Sequence, residues 1–175
     1  EGEVLQLIHA GDLSTTRAAW LETVDKKSAA LIAWCAAAGG WVSEQEPLAA
    51  YLEAFGRKVG VAFQVTDDVL DYGGDSGLTG KRIGADLRER KITLPLLYAF
   101  DRVEGLRERL ELGPPAAEEL PELIGLVRDC GALESALDDA RAWTELGIEQ
   151  LEVLDDSLYK EALVRLAWYL VERVR

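Results

Sequence analysis

The sequence predicts an all-α protein, and three observations support this prediction. Only five of the 175 residues are proline, and alanine, leucine, glutamate and arginine, which favour helices, are abundant. Apolar residues recur at steps of three and four, as on one face of a helix, and strand-like alternating runs are few. A chain of this length suits one domain. We therefore expect residues 1–175 to form a single helical bundle.

Helix start and stop signals divide the chain into segments. Ser14 is a candidate N-cap for a long helix that ends at Gly39-Gly40. Ser43, with Glu46 three residues later, has the pattern of a capping box at the next helix. The glycine-rich residues 73–90 predict a loop. The predicted helices are Glu3–Ala10, Ser14 to about Ala38, Ser43 to about Asp71, Leu94–Arg102, Leu106–Glu111, Glu118–Cys130, Ala132–Glu152 and Ser157–Arg173.

Composition excludes several classes of protein. The formal net charge of −13 argues against a nucleic-acid binder, which needs a basic face to displace counterions from phosphates. One histidine and two distant cysteines, Cys35 and Cys130, give no zinc-site or disulfide pattern, and this thiol usage fits a reducing compartment. The longest uncharged run, Ser28–Ser43, is shorter than the roughly 20 apolar residues of a membrane span. We therefore expect a cytoplasmic protein that does not span a membrane.

Three carboxylates near the end of the third predicted helix indicate a metal site. Asp67, Asp68 and Asp71 follow an apolar run, and helical geometry places Gln64, one of the first two aspartates and Asp71 on one face. Carboxylates this close repel one another unless a cation neutralises them. Oxygen ligands at this density suit Mg²⁺, which completes its shell with water and phosphate oxygens. The alternative is that the three aspartates form a solvated acidic surface. We interpret the pair Asp155-Asp156 in that way, because it lacks a third carboxylate one turn later.

Lysines near the carboxylates predict an anionic ligand. Lys81 lies in a glycine-rich segment just beyond the aspartates, and Lys91 follows it. In an acidic chain, lysines beside a carboxylate cluster indicate a metal-bridged anion such as a diphosphate. Surface salt bridging is the alternative. Lys27 borders the most apolar run of the chain, where the spacing alone favours a side chain that extends to solvent.

Five short motifs occur in a fixed order along the chain. They are Gly2-Glu3-x-x-Gln6-Leu7, Lys27-Ser28-Ala29-x-Leu31, Gly60-x-Ala62-Phe63-Gln64-x-x-Asp67-Asp68-x-Leu70-Asp71, Gly80-Lys81-x-x-Gly84-x-Asp86-Leu87 and Lys91-x-Thr93-Leu94-Pro95. Each motif is modest alone, but together the sequence resembles the trans-isoprenyl diphosphate synthases, or polyprenyl synthetases, over nearly its whole length. The resemblance implies an isoprenoid synthase-type helical bundle around a central cavity, usually assembled as a homodimer.

The resemblance also implies a reaction and a metal. The family's prenyltransferases condense isopentenyl diphosphate with an allylic prenyl diphosphate, through an allylic carbocation, in isoprenoid biosynthesis. Asp67, Asp68 and Asp71 match the second aspartate-rich motif of the family, which binds Mg²⁺ bridging to the allylic diphosphate. There the metal withdraws charge from the leaving group.

The remaining candidate residues match family positions beside the same diphosphate. Lys27 and Lys81 match lysines that hold it, and Lys91 matches a further lysine near it. Ser28 and Gln64 match residues whose oxygens face the allylic carbocation, where fixed dipoles stabilise positive charge. The resemblance therefore makes Lys27, Ser28 and Gln64 the candidate catalytic residues.

Some features depart from the family pattern. The first aspartate-rich motif has no counterpart in these residues, so we expect the C-terminal part of a longer synthase that cannot turn over by itself. Arg90 stands where many members have glycine. Alternative functions are a non-catalytic subunit of a heteromeric synthase, a class I terpene cyclase and a helical interaction module. Small residues on the second predicted helix would leave room for a long product if they line the cavity: Ala30, Ala33, Ala36 and Ala37.

Overall fold

The computed structural model describes residues 1–73 and 83–173, and these residues form helices and no strand. The described α-helices, numbered in chain order, are α1 (Gly2–His9), α2 (Arg17–Val24), α3 (Ala30–Val42), α4 (Glu46–Gly73), α5 (Ala85–Arg88), α6 (Leu94–Phe100), α7 (Leu106–Glu111), α8 (Leu120–Asp129), α9 (Ala132–Ile148) and α10 (Leu158–Glu172). A π-helical turn, Asp25–Ala29, joins α2 to α3, and a 3₁₀ turn, Glu149–Val153, follows α9. The all-α prediction is confirmed.

Helix α4 lies at the centre of the bundle because it buries apolar residues on more than one side. It packs along α3 and along α9, and it also contacts the π turn. Val61, Val65 and Val69 of α4 join a buried cluster with Ala136 and Ala140 of α9. Small residues on α9 allow the two helices to approach closely. Within the ranges 1–73 and 83–173, no helix has the length and apolar character needed to cross a membrane. That residues 1–175 form one domain stays a prediction.

The prediction that Gly39-Gly40 ends a helix is wrong. Helix α3 runs through both residues to Val42, with Gly39 exposed and Gly40 buried. A Cβ atom at Gly40 would lie 2.5 Å from the backbone of Ala49 in α4, whereas one at Gly39 would meet nothing within 4 Å. Gly40 therefore permits close packing of α3 on α4 and does not terminate the helix.

These adjacent glycines give a matched test of the α3–α4 contact. Gly40→Ala should lower the free energy of unfolding by about 1–3 kcal/mol, because the new methyl group overpacks the contact. Gly39→Ala, the control, should raise it by up to about 1 kcal/mol, since alanine favours a helix and the space is open. Urea denaturation followed by circular dichroism measures both changes. Equal effects of the two substitutions would contradict this account.

Other small residues of α3 also serve this contact. Ala33 and Ala37 are buried, and a Cβ atom at Gly56 of α4 would lie 2.8 Å from Ala33 Cα and 2.9 Å from Ala36 Cβ. Ala33 therefore packs against α4, and the burial of both Ala33 and Ala37 shows that neither lines an open cavity in the described part of the chain.

Helix α2 begins later than the sequence predicted. Ser14 does not cap it, because the Ser14 backbone N–H and hydroxyl both donate to Asp12 Oδ1, at 2.9 and 2.6 Å. The cap is Thr16, whose hydroxyl accepts a hydrogen bond from the amide of Ala19 at 3.2 Å. A serine hydroxyl bonds local groups in turns as readily as at helix starts, so the residue type alone did not decide the boundary.

The predicted loop over residues 73–90 contains a short helix, α5. Leu87 on α5 is 1% exposed and packs in a core cluster with Tyr72. After α5 the backbone of Arg90 has a φ of 55°, a left-handed conformation that glycine adopts more easily. The Arg90 guanidinium donates to the carbonyls of Gly11 and Leu110, at 3.3 Å each. These contacts hold a non-glycine residue in this position.

Candidate active site

A cleft of about 560 Å³ lies beside the C-terminal half of α4. Its lining includes six residues that the sequence analysis singled out: Lys27, Gln64, Asp67, Asp68, Asp71 and Lys91. A larger groove of about 700 Å³ between α2, α4 and α9 contains none of them. Lys81, the remaining predicted lysine, lies outside the described residues. The predicted chemistry therefore gathers in the smaller cleft.

The π turn Asp25–Ala29 carries Lys27 to the cleft, whereas Ser28, the next residue of the turn, is not among the residues that line it. Lys27 Nζ donates to Gln6 Oε1 of α1 at 2.8 Å and lies 3.4 Å from Glu3 Oε1. Its side chain is 22% exposed, so it borders the cleft and does not extend freely into solvent as the spacing alone suggested. Turns of this type often occur at functional sites, because the wider turn changes the direction of its side chains.

A chain of hydrogen bonds connects the π turn to α4. The Ser28 hydroxyl donates to Gln64 Oε1 at 2.6 Å, and Gln64 Nε2 donates to Asp68 Oδ1 at 2.8 Å. The orientation of the Gln64 amide is fixed, because its Nε2 donates to the Asp68 carboxylate and its oxygen must then face the Ser28 hydroxyl. Gln64 and Asp68 line the cleft, and Ser28 joins the same hydrogen-bonded unit through Gln64.

Asp68 is the most deeply buried of the three aspartates, with 5% exposure. Burial raises the pKa of the Asp68 carboxyl to about 7, with further increases from the charges of Asp86 and Asp67, while the hydrogen bond from Gln64 opposes the shift. The protein therefore does not fully compensate the negative charge on Asp68. A bound cation would do so.

Asp71 is tied to the segment that follows residue 82. Its two carboxylate oxygens accept the amides of Ala85 and Asp86, at 3.2 and 3.0 Å. Burial and the nearby Asp86 charge raise the pKa of Asp71 to about 6, although these amides oppose the shift. The contact brings Asp86 into the cleft as a fourth carboxylate.

Asp67 forms an ion pair with the guanidinium of Arg173, a residue distant from it in sequence. Arg173 Nη2 lies 3.2 Å from Asp67 Oδ1 and donates to the carbonyl of Phe63 at 3.4 Å. The Arg173 guanidinium also stacks on the Phe63 ring, 4.5 Å from its centroid. Arg173 was not among the candidate residues predicted from the sequence, so this role was missed.

Lys91 completes the charged lining of the cleft. Its Nζ lies 2.9 Å from Asp86 Oδ1 and 2.8 Å from Glu89 Oε2. Burial lowers the pKa of Lys91, but the hydrogen bonds to Glu89 and Asp86 outweigh this effect and raise it above its ordinary value. Lys91 therefore remains a cation beside the carboxylates. Asp86 was within a quoted motif, but its role as the partner of Lys91 was not predicted.

The donor set of the cleft fits a hard divalent cation, although the carboxylates do not converge as they stand. Among residues 1–73 and 83–173, no three His, Cys, Asp or Glu side chains are grouped to hold a metal ion. Each aspartate instead contacts a protein partner: Arg173 for Asp67, Gln64 for Asp68, and backbone amides for Asp71. Buried carboxyls with raised pKa values are suitable Mg²⁺ ligands, and the magnesium site stays a prediction.

The raised pKa of Asp68 predicts a pH-dependent stability. With a folded-state pKa of about 7 against 3.8 for the free group, the folded state binds the proton more tightly. The contribution of the Asp68 carboxyl to the free energy of unfolding is therefore fully present below about pH 4. That contribution is lost as the pH rises to about 7, and without a metal the loss is on the order of 4 kcal/mol.

Urea denaturation of the metal-free chain at several pH values measures this effect. Asp68→Asn should remove the larger part of the decrease in stability between about pH 4 and pH 7, and the part due to the raised pKa of Asp71 should remain. The control Asp155→Asn, at an exposed position of the same residue type, should retain the whole decrease. A decrease of the same size in both variants would show that Asp68 is not its source.

Solved structures with a similar fold define the class of protein. A decaprenyl diphosphate synthase from Rhodobacter capsulatus superposes with a TM-score of 0.89 and 37% identity, over 99% of this chain and 55% of that one. A polyprenyl synthase from Caulobacter crescentus, complexed with calcium and isoprenyl diphosphate, gives a TM-score of 0.93 and 34% identity over the same shares. The fold is therefore that of the helical isoprenyl diphosphate synthases.

The sequence identifies the family. Residues 1–126 match the profile of the family described as Polyprenyl synthetase. The chain is 34% identical to the octaprenyl diphosphate synthase of Haemophilus influenzae, over 99% of this chain and 54% of the relative. It is 38% identical to a short chain isoprenyl diphosphate synthase of Methanothermobacter thermautotrophicus, over the same shares. The chain belongs to the polyprenyl synthetase family, and it spans about half the length of the curated relatives it matches.

Proposed function

We propose that this chain forms the allylic diphosphate site of a trans-prenyl diphosphate synthase. Its substrates are an allylic prenyl diphosphate and isopentenyl diphosphate, which the prenyltransferase reaction joins in isoprenoid biosynthesis. The observation that carries the proposal is the hydrogen-bonded unit Ser28–Gln64–Asp68, in which Gln64 and Asp68 line one cleft with Lys27 and Lys91. Anion-binding lysines, metal-binding carboxylates and neutral oxygens are the three kinds of group that this reaction needs.

Asp67, Asp68 and Asp71 are the proposed ligands of Mg²⁺. When bound, the metal supplies positive charge that makes the diphosphate a better leaving group. The three side chains reach one cleft from consecutive turns of α4, so small rotations of side chains suffice to direct them to a common point. Charge repulsion among the carboxylates favours that rearrangement once a cation is available.

Lys27, Lys91 and Lys81 are the proposed diphosphate ligands. The ammonium groups of Lys27 and Lys91 border the cleft from the π turn and from the segment after α5. Their present partners include the partly exposed Glu3 and Glu89, and exposed ion pairs are weak enough to exchange for a phosphate oxygen. The lysines would then hold the diphosphate while its bond to the allylic carbon breaks.

Ser28 and Gln64 are proposed to face the allylic carbocation. Because Ser28 donates its proton to Gln64 and Gln64 donates to Asp68, both residues can direct oxygen lone pairs to a positive charge. Fixed dipoles stabilise the cation without attacking it when water is excluded. Isopentenyl diphosphate then attacks the allylic carbon, and loss of a proton to the departing diphosphate completes the new chain.

Isothermal titration calorimetry with a non-reactive thio analogue of geranyl diphosphate tests the proposal. The chain should bind the analogue in the presence of Mg²⁺, and EDTA should abolish binding, because a cation held by the carboxylates would supply the positive charge that the diphosphate needs. Binding that is insensitive to EDTA, or no binding, would contradict the proposal. The second result would favour the alternative of a non-catalytic subunit or a helical interaction module.

We further propose that the protein is a cytoplasmic homodimer. The support is membership of the family and the absence of a membrane-spanning helix among the described residues. Analytical ultracentrifugation of the purified chain measures the association state. A dimer at micromolar concentration is the expected result, and a monomer would contradict this part of the proposal.

A further inference from the structure

We infer that Arg57 is a positioning residue that holds the π turn in the geometry from which Lys27 reaches the cleft and Ser28 bonds to Gln64. The inference rests on the proposed function, because Lys27 and Ser28 are assigned their ligands there. Arg57 lies on α4 and lines the apolar groove between α2, α4 and α9. It does not line the cleft itself, so any effect on ligand binding must pass through another residue.

Arg57 makes directional contacts with the first residue of the π turn. Its Nη1 donates to both carboxylate oxygens of Asp25, at 2.7 and 2.8 Å, and its Nη2 donates to Glu53 Oε1 at 3.0 Å. Glu53 precedes Arg57 by one turn of α4 and therefore restrains the guanidinium from its own helix. The planar guanidinium of Arg57 is thus restrained by Glu53 at Nη2 and holds the carboxylate of Asp25 at Nη1.

Asp25 is the residue at which the helix changes type. Its amide still donates to Leu21, as in an α-helix, whereas its carbonyl accepts the amide of Ala30, five residues later. A π turn accommodates one extra residue and is uncommon because its hydrogen bonds compete with the α-helical pattern. The hydrogen bonds from Arg57 to the Asp25 side chain therefore stabilise the π turn at its first residue.

Two glycines limit the position of the same turn from other directions. A Cβ atom at Gly2 of α1 would lie 2.2 Å from the amide nitrogen of Lys27, and one at Gly60 of α4 would lie 2.6 Å from Ala29 Cα. These contacts set how closely α1 and α4 approach the turn. They are not directional, so they do not fix its rotation, whereas the hydrogen bonds of Arg57 to Asp25 do.

The rotation matters because Lys27 and Ser28 lie two and three residues after Asp25. Return of the turn to an α-helix would shift the register by one residue, which is a rotation of about 100° in an α-helix. Such a rotation would move Ser28 away from Gln64, to which it is now bonded at 2.6 Å. It would also move Lys27 from its place beside Gln6 at the cleft.

Arg57→Met tests the inference, because it retains the length of the side chain and removes its hydrogen bonds. The matched control is Arg165→Met, which removes an arginine from another ion pair with a glutamate four residues earlier, Glu161. Calorimetry with the thio analogue and Mg²⁺ should give about a tenfold loss of affinity for Arg57→Met and no loss for the control. Arg57→Lys, which keeps a charge that reaches Asp25, should recover part of the loss.

Two further measurements separate positioning from a general loss of stability. In a chain that already carries Lys27→Met, Arg57→Met should cost less affinity than it does in the unmodified chain, because one of the two residues through which it acts is already gone. Hydrogen exchange at the amide of Ala30, the donor of the π hydrogen bond, should become faster in Arg57→Met than in Arg165→Met. Thermal melting should change no more in Arg57→Met than in the control.

The outcomes distinguish this inference from the proposed function. If the unmodified chain binds the analogue and Arg57→Met binds it equally well, the inference is wrong and the proposed function stands. Additive losses of affinity in the double variant, or unchanged exchange at Ala30, would also overturn it. If the unmodified chain does not bind the analogue with Mg²⁺, the proposed function fails, and the inference fails with it.

Discussion

Replacement of Asp68 by asparagine should lower the Mg²⁺-dependent affinity for a prenyl diphosphate on the order of 100-fold. Asparagine has the same shape and its oxygen can still accept the hydrogen bond from Gln64 Nε2, now 2.8 Å from the carboxylate. The substitution therefore removes the charge that the cation needs and disturbs little else. Calorimetric titration of the thio analogue, with and without Mg²⁺, measures the loss.

The same substitution should make the metal-free chain more stable near neutral pH. Asp68 is 5% exposed, and its pKa is raised because burial disfavours its charged form. The asparagine side chain would carry no charge to bury, so binding and stability should change in opposite directions. This excludes unfolding as the cause of weaker binding. The control Asp156→Asn, in an exposed aspartate pair, should leave binding unchanged, and equal losses in the two variants would contradict the role of Asp68.

Lys27→Met should weaken binding of the prenyl diphosphate by about 10–100-fold, the value of one hydrogen bond between charged groups in a shielded site. Lys27 borders the cleft with 22% of its side chain exposed. Its neighbour Lys26 instead forms a surface ion pair with Glu22, at 2.7 Å. Lys26→Met is therefore a matched control that removes the same charge one residue away.

The comparison of the two lysines separates local contact from general electrostatics. Both substitutions make the chain more acidic by one charge, so a long-range effect would weaken binding in both. A contact between Lys27 and the diphosphate predicts a loss in Lys27→Met and less than about a twofold change in Lys26→Met. Titration at two salt concentrations measures this difference, and similar losses in both variants would show that Lys27 makes no specific contact.

Most of the helices were predictable because their signals are local. The long apolar helix with Asp67 at its end agrees with α4, and the predicted Leu106–Glu111 has the same bounds as α7. Local signals failed where two helices touch. Ser43 and Glu46 have the pattern of a capping box, but the Ser43 hydroxyl donates to the carbonyl of Gly40 and closes α3. The Ser43 hydroxyl therefore serves the end of α3 and not the start of α4, a choice that the residue type does not decide.

The residues of the candidate site were also predictable, but their connections were not. Spacing along one helix placed Gln64 one turn before Asp68, and the hydrogen bond between them agrees with that spacing. Asp86 and Arg173 join the cleft from segments distant in sequence. The residues next to Asp86 and Arg173 in the sequence do not indicate that these two would contact Asp71 and Asp67. Such contacts form only when the helices pack.

The sequence alone determined the helical class, the family resemblance and the identity of the candidate ligands, since these depend on residue type and short spacing. Tertiary structure decided which of two adjacent lysines borders the cleft. The π turn that rotates Lys27 towards Gln6 has no residue signature of its own. It exists where Gly2, Gly60 and Arg57 meet the same five residues from α1 and α4, and contacts between distant segments are a property of the folded chain.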